Sequence, residues 1–142
     1  MRMVELTGTE ELVSALRASG LPTEDVGGAG QVFWRFSDDL GHGLGFAGLE
    51  GDGPDRLLRS VVVDPAARGR GHGRAMVDAI AREAANRGVT DLWLLTLDAS
   101  AFFSKAGFVS APRDQAPARI ASTAEFRSLC PASAVCMRRR LG

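Results

Sequence analysis

The chain has 142 residues, with 17 basic and 17 acidic side chains and zero formal charge, so no net field draws it to nucleic acid or to a membrane surface. No apolar run approaches the roughly 18 residues of a membrane span. MRMVELTGTEEL contains no apolar signal-peptide core, and two Cys in this setting are expected as reduced thiols of a cytoplasmic protein.

The length suits one domain, residues 1–142, that buries about two thirds of its unfolded surface. Met3 to Leu6 alternates and is expected as a short strand. Thr7-x-x-Glu10 has capping-box spacing and opens a helix whose Leu12, Val13 and Leu16 share a face, with Gly20 as its terminal glycine and Pro22 beyond. Residues 23–30 are polar and glycine-rich and are expected as a mobile loop. Gln31 to Phe36 and His42 to Glu50 read as antiparallel strands across a turn at Ser37 to Gly41. Gly51-Asp52-Gly53-Pro54 then leads into a strand running Leu57 to Val63. Met76, Ile80 and Ala84 recur at four-residue spacing beside Val77 and Ala81, which makes a helix ended by Gly88. Asp91 to Leu97 is an almost unbroken apolar run, as in a strand covered on both faces, and strand, helix, strand implies a parallel pair. Ala99 to Ala106 is expected as a short helix and Gly107 to Ala111 as a strand. Pro117 to Ser128 is expected as helical, with Ile120, Ala124 and Phe126 inward. Val135 to Leu141 is expected as a last strand beside residues 108–111. This order gives an α/β fold with a mixed sheet, a mostly antiparallel N-terminal meander followed by a parallel β-α-β pair.

The chemistry centres on the turn between Val61-Val62-Val63 and the helix. It passes Asp64-Pro65 and then Arg68, Gly69, Arg70, Gly71, His72, Gly73 and Arg74. A glycine-rich turn at a helix N-terminus offers unpaired amides and the positive end of the helix dipole, which suits an anion, and the arginines add forked donors. Spacing excludes two nucleotide fingerprints: no Lys follows these glycines as in G-x-x-x-x-G-K-[ST], and G-x-G-x-x-G would end at Arg74 or Met76. Arg68-x-x-Gly71-x-Gly73 after Val-Asp-Pro instead resembles the acetyl-CoA signature of the GCN5-related N-acetyltransferases. A second block, Thr96-x-x-Ala99-x-x-x-Phe103-x-Lys105-x-Gly107-Phe108, resembles that family's N-x-x-A-x-x-x-Y-x-K-x-G-F.

The resemblance implies the acyl-CoA N-acyltransferase fold over nearly the whole chain, acetyl-CoA as co-substrate, a small-molecule amine as acceptor and no metal. It places the amides of Gly69 to Arg74 on a pyrophosphate, the backbone of Val61, Val62 and Val63 along pantetheine, Thr96 at the Asn position and Phe103 at the Tyr position. The chain contains no Tyr, so no phenol can protonate the leaving thiolate. Ser100 or Ser104, a water, or direct thiolate release would serve, with a Ser hydroxyl limited by its pKa to hydrogen bonding. No Cys stands at an acyl-carrier position of the motifs, which favours direct transfer in a ternary complex.

For the acceptor side, Glu50 and Asp55 are candidate bases or solvated turn carboxylates. Arg59 stands two residues before Val61, which simple alternation puts on the same face; it pairs with a substrate carboxylate or is an exposed strand arginine. Glu125 and Arg127 face the acceptor pocket or a helix surface. His42 and His72 are isolated and no metal-ligand cluster is visible. LLRSVVV, LLTLDASAFFSKAGF and Thr123 to Met137 together resemble the small acetyltransferases of arsenic-resistance operons, which implies an amino acid or its arsenic analogue as acceptor. Cys130 and Cys136 pack as small core residues or bind a soft metalloid. Phe33 and Trp34 are left open as pocket, core or homodimer contact. A non-catalytic acetyl-CoA sensor or metalloid-binding accessory protein is the alternative to the enzyme, and the missing tyrosine favours it.

Overall fold

The computed structural model describes all 142 residues. Seven strands form one sheet in the order β1-β2-β3-β4-β5-β7-β6. The first four are a meander of antiparallel neighbours: β1 (Arg2–Glu5), β2 (Gln31–Ser37), β3 (Gly43–Glu50) and β4 (Asp55–Val63). β5 (Asp91–Thr96) lies parallel to β4, and β7 (Val135–Arg140) runs antiparallel to β5 with β6 (Val109–Ser110) at the far edge. This is the mixed α/β sheet expected from the element order, including the pairing of the last strand with residues 109 and 110.

Four α-helices cover the faces: α1 (Glu10–Ala18), α2 (His72–Asn86), α3 (Ser100–Lys105) and α4 (Ala118–Ala121). On one face Met76, Val77 and Ile80 of α2, Phe103 of α3 and Ala106 just after it pack on Trp34, Phe36, Leu58, Leu92, Leu94 and Met137. On the other, Leu12 and Leu16 of α1 bury Phe33, Phe46 and Val62, while Ile120 and Phe126 bury Leu57, Trp93 and Cys136. Phe33 and Trp34 are therefore core residues, which removes them as homodimer contacts. No helix is long and apolar enough to cross a membrane.

Two local expectations fail for identifiable reasons. Helix α1 is capped at Thr9, whose carbonyl accepts from Val13 N at 2.8 Å, so the Thr7 capping box does not form; Glu10 and Glu11 meet the dipole instead. Its C-terminus is as expected, with Gly20 at φ 70° and Leu21 N donating to Leu16 O at 2.9 Å. The second failure is the helix over 117–128, which stops after one turn. Thr123 Oγ1 donates to Ile120 O at 2.7 Å and takes the Phe126 amide at 3.4 Å, competing with the helix ladder. The chain then widens into a π-turn, Glu125–Leu129, closed by Cys130 N to Glu125 O at 3.1 Å. Ala124 is left half-buried, whereas Glu125 turns inward.

Two features of β4 position the site. Its parallel pairing with β5 covers only Asp55, Arg56 and Leu57 against Asp91, Leu92 and Trp93, so the strands splay and β4 beyond Leu57 has no strand partner on that side. Ser60 and Val61 also lie opposite the single residue Ala47, between the pairs Gly48↔Arg59 and Phe46↔Val62, and Ser60 adopts φ 58°. This β-bulge shifts the alternation by one. Leu57, Arg59 and Val62 face α1 and α4, while Leu58, Val61 and Val63 face α2. The expected sharing of one face by Arg59 and Val61 is therefore wrong.

Candidate active site

The splay opens a cleft with two joined compartments. The first, about 660 Å³, is floored by the glycine turn and bordered by Val61, Val63, Phe102, Phe103 and Lys105. The amides of Gly69, Arg70 and Gly71 donate to no protein acceptor, and those of His72, Gly73 and Arg74 are the first-turn donors that a helix leaves open. Gly71 is the N-cap at φ 78°, and a Cβ there would meet nothing within 4 Å, so the space above it is free for a ligand. Gly73 has a different reason: a Cβ would press on Phe102 and Val63 at 3.1 and 3.2 Å. Arg68 and Arg74 border this compartment. Arg68 Nε donates to Val63 O at 3.2 Å, and Arg74 is steadied by Asp78 at 3.3 Å and by the Lys105 carbonyl. Arg70 does not line the compartment and projects into solvent, a departure from the phosphate role assigned to its side chain. Thr96 is buried; its hydroxyl accepts the Ala99 amide at 3.1 Å and so shapes the entry to α3.

The second compartment, about 560 Å³, lies between β4 and β5 on the side of α1 and the π-turn. Its wall holds a cluster around Arg59, whose side chain has no exposure. Nη1 donates to Asp25 Oδ2 at 2.6 Å and Glu50 Oε1 at 2.7 Å, Nη2 donates to Asp25 Oδ1 at 2.8 Å and stands 3.3 Å from Glu125 Oε2, and Nε donates to Ser60 Oγ at 3.2 Å. The guanidinium also lies 5.7 Å over the Phe33 ring, which fits because a Cβ at Gly48 would sit 2.4 Å from that ring. Arg59 is thus neither exposed nor free for a substrate carboxylate, and that expectation is corrected. Glu50 is not a solvated turn acid either. It holds Arg59 and lies 3.5 Å from Gln31 Nε2, so it is a structural partner rather than a free base. Asp55, the other candidate base, accepts from Trp93 Nε1 at 2.9 Å.

Glu125 is different. It lines the cleft, is 6 % exposed, and its Oε1 has only the Cys130 thiol near it, at 4.0 Å. Burial pushes its carboxyl up to about 7 against the pull of Arg59, and the charges of Asp25 and Glu50 push the same way. Hydrogen bonds from Arg59 hold Asp25 below the usual carboxylate range. Burial first, and then Glu125, raises the Cys130 thiol to about 11, so it is no nucleophile at neutral pH. Arg127, Ser100 and Ser104 are exposed and line neither compartment, which removes Arg127 from acceptor binding and both serines from the leaving-group side. Phe103 lies at the junction, with its ring edge-on to Phe102 and Phe108. Asp25 and Gln31 escaped the sequence reading because nothing in residues 20–31 marks a carboxylate destined for an arginine 34 positions away.

A family model described as an acetyltransferase (GNAT) domain matches residues 29–110, from just before β2 to the end of β6. Among solved structures, the chain is similar to Tetrahymena GCN5, with 12 % identity, TM-score 0.78 and coverage of 100 % of this chain and 97 % of the other. It is similar to Rv2747 of Mycobacterium tuberculosis, solved in complex with CoA, with 26 % identity, TM-score 0.65 and coverage of 78 % and 76 %. It also resembles N-acetylglutamate synthase of Neisseria gonorrhoeae, complexed with coenzyme A and N-acetyl-glutamate, at 17 % identity and TM-score 0.74; all of this chain is covered but only 36 % of that one. A search of curated proteins finds no match. The family model spans more than half of the residues, the glycine turn and splayed strands stand inside it, and the chain belongs to the GNAT acetyltransferase family.

Proposed function

We propose that residues 1–142 form an acetyl-CoA-dependent N-acetyltransferase domain that acetylates the amine of a small molecule by direct transfer in a ternary complex. The observation that carries this reading is the continuity of the two compartments, which share Val61, Val63, Arg68, Asp98, Ala99 and Phe103. An anion at the glycine turn and an amine at Glu125 reach the same stretch of unpaired β4 edge. The residues fit the donor: open amides from Gly69 to Arg74 and two flanking arginines suit a pyrophosphate, and the β4 edge suits an extended pantetheine arm.

In the reaction, the Glu125 carboxylate takes a proton from the acceptor ammonium. The freed nitrogen pair attacks the thioester carbon, a β4 amide near Val61 or Val62 holds the oxyanion, and the C–S bond breaks as the carbonyl re-forms and the nitrogen releases its second proton to solvent. Phe103 offers no proton, so the thiolate takes its proton from solvent or leaves as the anion. A carboxyl titrating near 7 is a stronger base than an ordinary one and remains ionised at mildly alkaline pH. Both cysteines are free thiols, which suits the cytoplasmic setting expected from the sequence. The likeness to arsenic-operon acetyltransferases would add an amino acid or arsenic analogue as acceptor; Arg59, the separate candidate partner for a substrate carboxylate, is already committed.

Thiol release from acetyl-CoA across a panel of amines, amino acids and aminoarsonates tests the proposal. Amine-dependent release is expected. The absence of a phenol favours the alternative, a CoA-binding protein without turnover, and tight CoA binding with no release for any amine would establish it.

A further inference from the structure

Five charged residues line the acceptor compartment: Glu24, Arg59, Arg68, Asp98 and Glu125. Arg59 is not free for an acceptor, and Arg68 stands at the junction with the donor compartment rather than beside Glu125. Arg59 donates four hydrogen bonds, to Asp25 twice and to Glu50 and Ser60, and its Nη2 stands 3.3 Å from Glu125. Arg68 holds the Val63 carbonyl where the two compartments join, beside the glycine turn. Arg127 points away into solvent. The Arg59 cluster itself sets three carboxylates against one guanidinium, a formal charge of −2 when all are ionised, in a place with little water. Glu125 is the member facing the cleft, and it has the fewest partners. Part of the remaining wall is apolar, with Leu21, Pro22, Leu129, Pro131 and Ala134, beside the uncharged polar side chains of Ser19, Ser60 and Thr96.

We infer that the acceptor is a primary amine with an apolar body and no carboxylate beside the nitrogen, held as an ammonium ion against Glu125. The inference rests on the N-acetyltransferase reading. The ammonium supplies a second cation to a cluster that is short of one, and its carbon chain lies on the leucine and proline wall. An α-carboxylate beside an ammonium held at Glu125 would meet three acids and an Arg59 already committed to them, with Arg68 set toward the glycine turn, an arrangement that penalises amino acids. The elevated titration of Glu125 is a separate sign of the same shortage of positive charge.

Matched pairs that differ only by the α-carboxylate test this on the unaltered protein: 2-phenylethylamine against phenylalanine, and 3-methylbutylamine against leucine. Thiol release with acetyl-CoA gives kcat/KM, and calorimetry on the CoA-loaded protein gives affinity. The amine of each pair is expected to exceed the amino acid by tenfold or more in both readouts, and Glu125→Gln to reduce that preference to less than threefold. Turnover of the amino acids equal to or above that of the amines overturns the inference while leaving acetyl transfer standing. Tighter binding of the amines without turnover of either member upholds the pocket's preference for amines without a carboxylate and defeats the transferase reading. Binding of neither member overturns both, and full discrimination retained by Glu125→Gln overturns the role given to that residue.

Discussion

The two halves of the cleft are built on opposite principles. The half proposed to hold the donor is one contiguous stretch, Val61 to Arg74, that offers mainly main-chain groups. The acceptor half gathers side chains from residues 25, 50, 59 and 125, drawn from a loop, two strands and a π-turn. Main-chain donors are laid down by local geometry and tolerate change in neighbouring side chains. A buried charge cluster depends on its counter-charge, since removing the one cation leaves three acids desolvated and unpaired.

The largest expected effect breaks the acceptor half alone. Arg59→Met leaves Asp25, Glu50 and Glu125 buried without a counter-charge and should cost ~3–5 kcal/mol of stability, read by denaturant unfolding. Coenzyme A affinity per folded molecule should be unchanged. Next comes Glu125→Gln, expected to lower kcat by roughly 10²- to 10⁴-fold and to remove the acid limb of kcat/KM near pH 7, with CoA binding intact. Its stability moves the other way. The folded pKa of Glu125, about 7, lies above the ordinary 4.5, so the native state binds more protons in that window and wild-type stability falls as pH rises through it. Glu125→Gln lacks this loss and should melt at a higher temperature than wild type at pH 8. A wild-type protein that gains stability between pH 5 and 7 through this residue would contradict the geometry.

The donor half is broken from its own side by Gly71→Val. A β-branched residue at φ 78° is strained, and its methyls fill the space a phosphate would take, so CoA affinity should fall about tenfold to hundredfold on losing charge-assisted amide bonds. The Glu125 pH profile should survive at saturating acetyl-CoA. Arg70→Ala and Ser100→Ala should have the smallest effects. Arg70 adds only an exposed charge, and its loss should change CoA affinity by less than about threefold; Ser100→Ala should leave kcat unaltered.

The same division decides what could be read from residues alone. The meander, the parallel pair and helix α2 follow from periodicity and glycine placement within short windows, and the phosphate turn is a local motif whose geometry travels with its spelling. The acceptor half depends on two irregularities that period counting cannot see. One extra residue at Ser60 reverses which face Arg59 takes, and the hydroxyl of Thr123 ends a helix so that a π-turn can deliver Glu125. Glu125 was visible as a pocket candidate, but its burial was not, because burial there depends on Asp25 and Glu50 arriving from elsewhere. Glu50 and Arg59 were singled out separately, and the ion pair between them appears only when β3 and β4 are set in register.

The bulge at Ser60 has a consequence for how this domain can be altered. By turning Arg59 and Val61 to opposite faces, it keeps the side chains proposed to meet the acceptor off the face where the α2 turn is proposed to receive the donor. Asp25, Glu50, Arg59 and Glu125 can be rewritten as a set while every amide that meets the donor stays where it is. A redesign aimed at a new amine therefore has a natural boundary, and it runs through one residue of one strand.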